Sequence, residues 1–249
     1  MPELPEAERA RAQIEKVLGR EIVAVDDRDT YVCRPHAPGE IAAALVGRRL
    51  TTANRRGKFL WAETDGGPDL GLHLGMAGRI AIDEAPHEPW DRFALEFADG
   101  SRLALRDKRR LGRALIEPDF DHVGPDAALV SRDKFRERVG RGSMPLKARL
   151  LDQRSISGVG NLLADETLWR ARLNPRTAAG ELSTDELDHL RRVLRAATRD
   201  AIRKGGVHTG DFIKHRKRGA PCPRCGTTVE RATIGGRTTF WCPSCQPGG

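Results

Sequence analysis

A cysteine-rich segment, CPRCGTTVERATIGGRTTFWCPSC (residues 222–245), decides how the C-terminal part of the chain folds. Its cysteines, Cys222, Cys225, Cys242 and Cys245, form two C-x2-C pairs that are sixteen residues apart. This spacing is typical of two knuckles that place four thiolates around one tetrahedral zinc ion. Because the protein supplies all four ligands, we expect a structural zinc ion with no open position for chemistry.

A β-hairpin is predicted between the two cysteine pairs. Its strands are expected at Thr227–Glu230 and Arg237–Trp241, and Gly235-Gly236 is expected at the turn. Arg237 would then lie just past the tip, where an arginine can enter a nucleic-acid groove. Four incidental cysteines are a poor alternative, because so small a segment cannot fold by burial alone.

The charge of the chain favours a polyanionic partner. Its 249 residues carry a formal net charge of +8, and the isoelectric point is near 9.6. Nucleic acid is the first candidate partner and an anionic membrane the second. Residues 201–249 hold nine Lys or Arg against two acids, and residues 101–113 hold six against Asp107. One such run would indicate only a solvated face, whereas two favour a surface that follows phosphates.

Hydropathy predicts an intracellular location. No segment reaches the ~20 apolar residues of a membrane span, and the N-terminus lacks the basic-then-apolar layout of a signal peptide. We therefore expect a soluble protein of the cytoplasm, associated with the nucleoid. The cysteines agree with this location, because four of the five form a metal pattern and not a disulfide framework.

The segment before the zinc hairpin, residues 126–215, has a helical pattern. In residues 183–206 a capping box is formed by Ser183 and Glu186, and Gly205 is the expected end. The apolar stripe of this helix is Leu187, Leu190, Leu194, Ala197 and Ala201. Upstream, a glycine-rich turn precedes a helix that should end at Asn174-Pro175. Backbone N–H groups at such a turn can hold a phosphate, but taken alone the pattern favours a simple connector.

The first part of the chain, residues 1–121, has mainly a β pattern. A helix is predicted over residues 3–18, with Gly19 as the stop. Short β-like runs follow, and together they predict an antiparallel sandwich or barrel up to about residue 120. The turn-rich stretch 118–127 marks a boundary. We expect an α+β multidomain protein with domains at 1–121, 126–215 and 216–249.

The N-terminal stretch MPELPE suggests a nucleophile. A small second residue allows removal of the initiator methionine, which would free Pro2 as a secondary amine. Such an amine is less basic than lysine, and it can attack an electrophilic carbon to give an iminium. Taken alone, the stretch favours the alternative that Pro2 and Pro5 merely start a helix.

Further motifs favour the interpretation of Pro2 as a nucleophile. MPELPE (1–6), RRGKFL (55–60), HLGMAGR (73–79), DKRRLG (107–112), GVGN (158–161) and the zinc hairpin occur in this order along the chain. Their order and spacing resemble the formamidopyrimidine-DNA glycosylase/endonuclease VIII family, and the resemblance covers nearly the whole chain. It implies an N-terminal antiparallel β-sandwich with a leading helix, a helix–two-turn–helix domain and a zinc finger with a β-hairpin.

The resemblance also implies an activity and a partner. Family members are bifunctional base-excision-repair enzymes, DNA glycosylases that are also AP lyases. The implied partner is damaged double-stranded DNA. A monomer is the default expectation, and no protein partner can be inferred.

Catalytic roles follow position by position from the resemblance. Pro2 matches the proline that attacks C1′ of the damaged nucleotide, and the next residue, Glu3, acts in proton transfer at the sugar. Glu6 matches a second glutamate near the site. Lys58 matches a lysine that contacts phosphate and transfers protons. Arg237 matches the hairpin arginine that clamps the phosphate and is linked to strand cleavage.

DNA contacts are implied in the same way. Met76, Arg109 and Leu111 match the side chains that fill the gap left by the flipped nucleotide, and Asn161 matches a phosphate-binding turn. All the DNA-binding candidates are His73, Met76, Arg109, Arg110, Leu111, Lys147 and Asn161. The iminium on Pro2 would acidify the C2′ protons, so that β- and then δ-elimination can break the strand.

Two departures from the family pattern bear on the lesion. Leu111 stands where many formamidopyrimidine-DNA glycosylases carry an aromatic residue. The connection from residue 205 to Cys222 is too short for the loop that covers flipped 8-oxoguanine, which suggests a lesion range like that of endonuclease VIII, whereas PELPE (2–6) and HLGM (73–76) resemble formamidopyrimidine-DNA glycosylase more closely. The alternatives from other classes are a non-catalytic DNA-binding protein on this scaffold and a zinc-ribbon factor that binds DNA or RNA.

Overall fold

The structure, a computed structural model, describes residues 2–83 and 89–248, which form two compact units. The first unit comprises Pro2 and Ala7–Phe120. The second comprises Glu3–Glu6 and residues 121–248. The N-terminal segment is thus shared between the units, and its first residues pack with the C-terminal part of the chain.

The leading helix, α1, spans Leu4–Ile14 and ends in a 3₁₀ turn at Glu15–Val17. Its buried residues recur at helical spacing and include Ala7, Ala10 and Ile14. The predicted helix is confirmed. Its end is tighter than expected, and Gly19 takes a left-handed φ of 76° just beyond it.

Two antiparallel sheets of four strands follow in the first unit. The strands are β1 (Ile22–Asp26), β2 (Leu50–Arg56), β3 (Phe59–Thr64), β4 (Leu70–His73), β5 (Arg79–Ile82), β6 (Asp91–Phe97), β7 (Arg102–Arg106) and β8 (Arg113–Ile116). One sheet has the order β1-β6-β7-β5 and the other β2-β3-β4-β8. Buried residues of both sheets, such as Phe93, Leu95, Leu60 and Leu72, belong to one apolar core. Of the two predicted architectures, the sandwich is therefore correct.

A short helix, α2 (Glu40–Leu45), lies between β1 and β2 and was not predicted. Its first turn is held by the buried carboxylate of Asp27, which accepts the N–H groups of Gly39, Ile41 and Ala42 at 2.8 to 3.1 Å. Six residues are too few to show a helical period in the sequence. The capping side chain lies twelve or more positions away along the chain, so it gives no local signal either.

The second unit is helical up to the zinc hairpin. Its helices are α3 (Arg132–Val139), α4 (Leu146–Leu151), α5 (Asn161–Ala171) and α6 (Thr184–Lys204), with 3₁₀ turns at Ala179–Glu181, Val207–Thr209 and Ile213–His215. The capping box of α6 and its C-terminal Gly205 are as predicted. Helix α5 ends three residues before the expected Asn174, because Arg172 adopts a left-handed φ of 59°.

The hairpin consists of β9 (Glu230–Ile234) and β10 (Arg237–Trp241). The second strand and the Gly235-Gly236 turn are as predicted. The predicted first strand, Thr227–Glu230, was wrong by several residues. Strand pairing runs continuously from Trp241↔Glu230 to Arg237↔Ile234, so the strand starts only at Glu230, after the first knuckle has turned.

None of the helices in residues 2–83 and 89–248 combines the length and the apolar character that crossing a membrane requires.

Candidate functional site

Glu3 lies at the N-terminus of α5. Its side chain is buried, with 1% of its surface exposed, and accepts three backbone hydrogen bonds. Leu162 donates to Oε1 at 2.9 Å, while Gly160 and Leu163 donate to Oε2 at 3.1 and 3.0 Å. These are the N–H groups that a helix start leaves without an intrahelical partner, and the helix dipole stabilises the negative charge there.

Gly160 makes this contact possible. A Cβ at this position would lie 2.2 Å from Cδ of Glu3, so no other residue fits without displacing the carboxylate. For the glycine-rich turn, a phosphate site was the weaker interpretation and a simple connector the stronger one, and in the structure the N–H groups of residues 160, 162 and 163 bind Glu3. The carboxylate of Glu3 already occupies the place of the anion.

Glu6 links the same segment to the 3₁₀ turn that follows α6. Its Oε2 accepts the N–H of Glu3 at 3.0 Å, and its Oε1 accepts the N–H of Val207 at 2.8 Å. Leu4 adds a backbone bond to the carbonyl of Gly158 at 3.0 Å. The residues that follow Pro2 are therefore fixed by backbone and side-chain bonds, while Pro2 itself is half-buried and precedes the helix.

Asn161 connects α5 to the zinc hairpin, because its Nδ2 donates to the carbonyl of Thr238 at 3.1 Å. The phosphate contact expected for Asn161 stays a prediction. Arg237, one residue before Thr238, is exposed at the tip, as predicted. Within the described residues, no acidic side chain forms an ion pair with Arg237.

Lys147 lies in the interior of the protein, a position that does not suit a contact with DNA. Its side chain is fully buried and pairs with the buried carboxylate of Asp165. Asp165 also accepts from Nε of Arg216 at 2.7 Å and from the N–H of Phe240 at 3.2 Å. Burial lowers the pKa of Lys147, and the charge of Asp165 opposes that shift. The expected contact of Lys147 with DNA does not fit this position, because the ammonium group cannot reach solvent.

The four cysteines converge at the base of the hairpin. Their sulfur atoms all lie within 4.8 Å of one another, as ligands of one tetrahedral ion must. Trp169 of α5 donates its indole N–H to Sγ of Cys222 at 3.4 Å, and the N–H of Cys245 points to Sγ of Cys242 at the same distance. Such donors stabilise thiolates, so the residues fit a zinc ion.

In the first unit, Lys58 and His73 lie close enough to interact. Lys58 follows β2 in the turn to β3, and His73 ends β4, which is hydrogen-bonded to β3. Burial, together with the positive charge of Lys58, lowers the pKa of His73 to about 4. Its Nδ1 accepts the N–H of Gly75 at 3.1 Å. His73 is therefore neutral at pH 7 and offers its Nε2–H as a donor.

The predicted gap-filling residues come from two packed turns. A Cβ at Gly75, where φ is 59°, would lie 2.4 Å from the carbonyl carbon of Leu111, so the turn that carries the exposed Met76 touches the loop 107–112. Buried Asp107 shapes this loop by accepting the N–H groups of Arg109, Leu111 and Gly112 at 2.7 to 2.9 Å.

Arg109 and Arg110 differ within this loop. Both are exposed, but Arg110 is bound to the carboxylate of Asp29, with its Nη2 at 2.8 Å. Two aspartates that organise the predicted site, Asp107 and Asp165, were not predicted from the sequence. Asp107 opens the DKRRLG motif, and its position at the start of a glycine-containing turn is the signal that could have identified it.

Comparisons with known proteins agree with this geometry. Three family models match the chain: the formamidopyrimidine-DNA glycosylase N-terminal domain over residues 1–114, the formamidopyrimidine-DNA glycosylase H2TH domain over residues 123–212, and the zinc finger found in FPG and IleRS over residues 219–248. The last match confirms the four cysteines as the ligands of one zinc ion.

Relatives match over their whole length. The formamidopyrimidine-DNA glycosylase of Chloroflexus aggregans is 37% identical over 271 residues, covering 99% of this chain and 98% of that protein. The crystal structure of MutM (Fpg) from Thermus thermophilus matches with a TM-score of 0.84 and 35% identity, covering 100% of both chains. A complex of Lactococcus lactis Fpg with DNA containing an abasic site matches with a TM-score of 0.87 and 26% identity, covering 99% of this chain and 100% of that one. The chain therefore belongs to the formamidopyrimidine-DNA glycosylase family.

Proposed function

We propose that the protein is a base-excision-repair DNA glycosylase and AP lyase that removes oxidised bases through a Schiff base on Pro2. The observation that carries this proposal is the fixation of Glu3, the residue next to Pro2, by three backbone N–H groups at the start of α5. A nucleophile on a flexible chain end would be poorly placed for attack. Anchoring the neighbouring residue holds the amine within a small volume.

The reaction needs no external nucleophile. Removal of the initiator methionine frees the amine of Pro2, which attacks C1′ of the flipped nucleotide, and the base leaves with the bonding electron pair and a proton. The resulting iminium acidifies the C2′ protons. Loss of one of them expels the 3′-phosphate, and a second elimination expels the 5′-phosphate. Glu3, Glu6 and Lys58 are the groups that we assign to proton transfer.

DNA binding is assigned to both units of the chain. Arg237 at the hairpin tip, the exposed Arg109, Arg110 and Met76, Leu111, Asn161 and the Nε2–H of His73 form the proposed contacts. For Lys147 we assign a structural role, because its buried pair with Asp165 supports the junction of α4, α5 and the hairpin. Zinc stabilises the hairpin that presents Arg237 and takes no part in bond breaking.

The lesion range is proposed to extend to oxidised pyrimidines. The alignment with the Chloroflexus aggregans enzyme spans 271 residues, more than the 249 of this chain, so the relative carries additional segments. In this chain the connection from α6 to the zinc site holds only two 3₁₀ turns, Val207–Thr209 and Ile213–His215. A loop able to cover flipped 8-oxoguanine has no place in that connection.

The chain is proposed to comprise three domains. We assign a catalytic domain to residues 1–121, a helix–two-turn–helix DNA-binding domain to 126–215 and a zinc finger to 216–249. The protein acts as a monomer in the cytoplasm, at the nucleoid.

The test is trapping with sodium borohydride. The protein is incubated with duplexes that contain 8-oxoguanine, a formamidopyrimidine, an oxidised pyrimidine or an abasic site, and the adduct is mapped by mass spectrometry. We expect a reduced adduct on Pro2. Among the three duplexes that carry a damaged base, the adduct yield should be largest with the oxidised pyrimidine or the formamidopyrimidine. A matched variant with one bulky residue inserted between Met1 and Pro2 retains the nitrogen in an amide and should give no adduct.

Two outcomes would contradict the proposal. An adduct that maps to a lysine would refute the role of Pro2. The absence of any adduct, even on the abasic duplex, together with tight binding would favour a non-catalytic DNA-binding protein.

A further inference from the structure

Tyr31, the only tyrosine of the chain, is unusually exposed for an aromatic residue. It lies in the turn after β1, and 45% of its surface is accessible. An exposed aromatic side chain on a basic protein is a candidate contact for nucleic acid. It belongs to none of the motifs that carry the family resemblance.

Three arginines surround the ring of Tyr31. The guanidinium carbon of Arg34 lies 4.0 Å from the ring centroid, that of Arg113 5.4 Å and that of Arg110 5.9 Å. Arg34 is further fixed by a hydrogen bond of 2.7 Å from its Nη1 to the carbonyl of Tyr31. Cation–π pairs occur about once per 70–80 residues in proteins, so three on one ring form a distinct cluster.

A single carboxylate joins this cluster to the loop 107–112. Asp29 accepts the N–H groups of Tyr31 and Val32 at 3.2 and 3.1 Å, and it binds Arg110 through Nε and Nη2 at 2.9 and 2.8 Å. Only 10% of the Asp29 side chain is exposed. The turn with Tyr31 and the loop with Leu111 therefore form one structural piece.

The charges of the cluster do not balance. Arg34, Arg110 and Arg113 contribute three positive charges. Asp29 contributes one negative charge, and it is shared with Arg92, whose Nη1 lies at 3.7 Å. Like charges grouped around one ring repel one another, and a bound anion would relieve that repulsion. A simple packing role for Tyr31 would explain one stacked arginine but not the excess of positive charge around an accessible ring.

We propose that Tyr31, Arg34 and Arg113 form a subsite that binds a phosphodiester of the undamaged DNA strand. The inference rests on the proposed function, in which Arg109 and Leu111 fill the gap left by the flipped nucleotide. Side chains that fill this gap meet the orphaned base, which belongs to the undamaged strand. A basic cluster tied to their loop by Asp29 is placed to hold the backbone of that same strand. The guanidinium groups donate to phosphate oxygens, and the ring keeps the groups in place.

Binding of a duplex with a non-cleavable abasic analogue tests the subsite. Affinity is measured by fluorescence anisotropy at several salt concentrations, for the wild type, Arg34→Gln and Tyr31→Ala. We expect a 3- to 10-fold weaker affinity for both variants. We also expect the slope of log K against log salt to be smaller by about 0.9, the effect of one lost phosphate contact. The control is Arg49→Gln, an exposed arginine paired with Glu21, which should leave the slope unchanged.

Neutral methylphosphonate linkages identify the strand. They are placed one at a time in either strand. At one position of the undamaged strand, the linkage should weaken DNA binding by the wild type and leave DNA binding by Arg34→Gln unchanged. Unchanged affinity and slope in both variants would overturn the subsite, and a sensitive position in the damaged strand would overturn the strand assignment. A wild type that binds no lesion duplex would instead refute the proposed function itself. Thermal unfolding confirms that the variants are folded.

Discussion

The carboxylate of Glu3 accepts the backbone N–H of Leu163 at 3.0 Å, across 160 positions of the chain. Together with the bonds from Gly160 and Leu162, this contact makes Glu3 the cap of α5. One side chain thus joins the N-terminal segment to the helix that also carries Asn161, Asp165 and Trp169. A residue proposed for proton transfer is held here by bonds that also stabilise the fold.

We therefore predict that Glu3→Gln lowers both stability and activity. The amide keeps one oxygen acceptor, but its NH₂ group faces backbone donors and the negative charge at the helix start is lost. The free energy of unfolding should fall by about 1–3 kcal/mol, as measured by urea denaturation. Base excision on a lesion duplex should fall by at least 100-fold.

The control for this prediction is Glu186→Gln, which alters the exposed capping box of α6. It should lower the free energy of unfolding by about 0.5–1 kcal/mol and leave base excision unchanged. Wild-type stability in Glu3→Gln would show that the three bonds to the carboxylate contribute little.

A second prediction concerns the loop 107–112. Asp107→Asn leaves one oxygen to serve three N–H donors, so at least one of these partly or fully buried donors loses its partner. We expect a loss of about 1–3 kcal/mol in unfolding free energy and faster hydrogen exchange at Arg109, Leu111 and Gly112. Affinity for lesion-bearing DNA should fall as well, because the proposed gap-filling side chains lose their fixed positions.

Asp99→Asn is the matched control for this loop. Asp99 also accepts a backbone N–H, from Ser101 at 3.0 Å, but in an exposed hairpin turn. This change should leave DNA affinity within twofold of wild type. Equal hydrogen exchange in Asp107→Asn and wild type would refute the role of the buried carboxylate.

Local patterns predicted the parts of the fold that depend on local interactions. The capping box of Ser183 and Glu186 satisfies its own helix start, and the spacing of Cys222, Cys225, Cys242 and Cys245 is set within one short segment. Each is determined within one short stretch of the chain. The zinc site and α6 could therefore be predicted from the sequence.

Contacts between distant residues could not be predicted in this way. A lysine such as Lys147 in a basic chain looks like a phosphate contact, and only the fold shows that Asp165 meets it in the interior. The N–H groups at the start of α5 likewise look available to a phosphate until Glu3 is placed against them. In each case a charged partner far along the chain decides what the residue does.

A third prediction concerns zinc. Trp169→Phe removes the indole N–H that donates to Sγ of Cys222 but keeps an aromatic ring to stack on Phe212, whose centroid lies 5.5 Å away. We expect zinc affinity to fall about tenfold, measured by competition with a chromogenic chelator. Trp61→Phe, in the β-sandwich, should bind zinc like the wild type. The same zinc affinity in all three proteins would mean that the indole donor is dispensable.

The fourth prediction is the pH dependence of stability through His73. Its pKa of about 4 in the folded protein lies below the ordinary value of 6.5, because burial and Lys58 disfavour the protonated ring. Between these two values the unfolded chain binds a proton that the folded protein does not. The free energy of unfolding should therefore decrease as the pH falls from about 7 to 5, with a contribution of about 2 kcal/mol from this residue.

His73→Asn isolates this contribution. The Oδ1 atom of asparagine can accept the N–H of Gly75 in place of Nδ1, but the side chain does not titrate. Urea denaturation at pH 7 and pH 5 should show a smaller loss of stability for the variant than for the wild type, since other groups titrate equally in both. If both proteins lost the same amount, the ring would have to accept a proton in the folded state near its ordinary pKa. In that case His73 would carry a charge at mildly acid pH, and its protonated Nδ1 could no longer accept the N–H of Gly75 there.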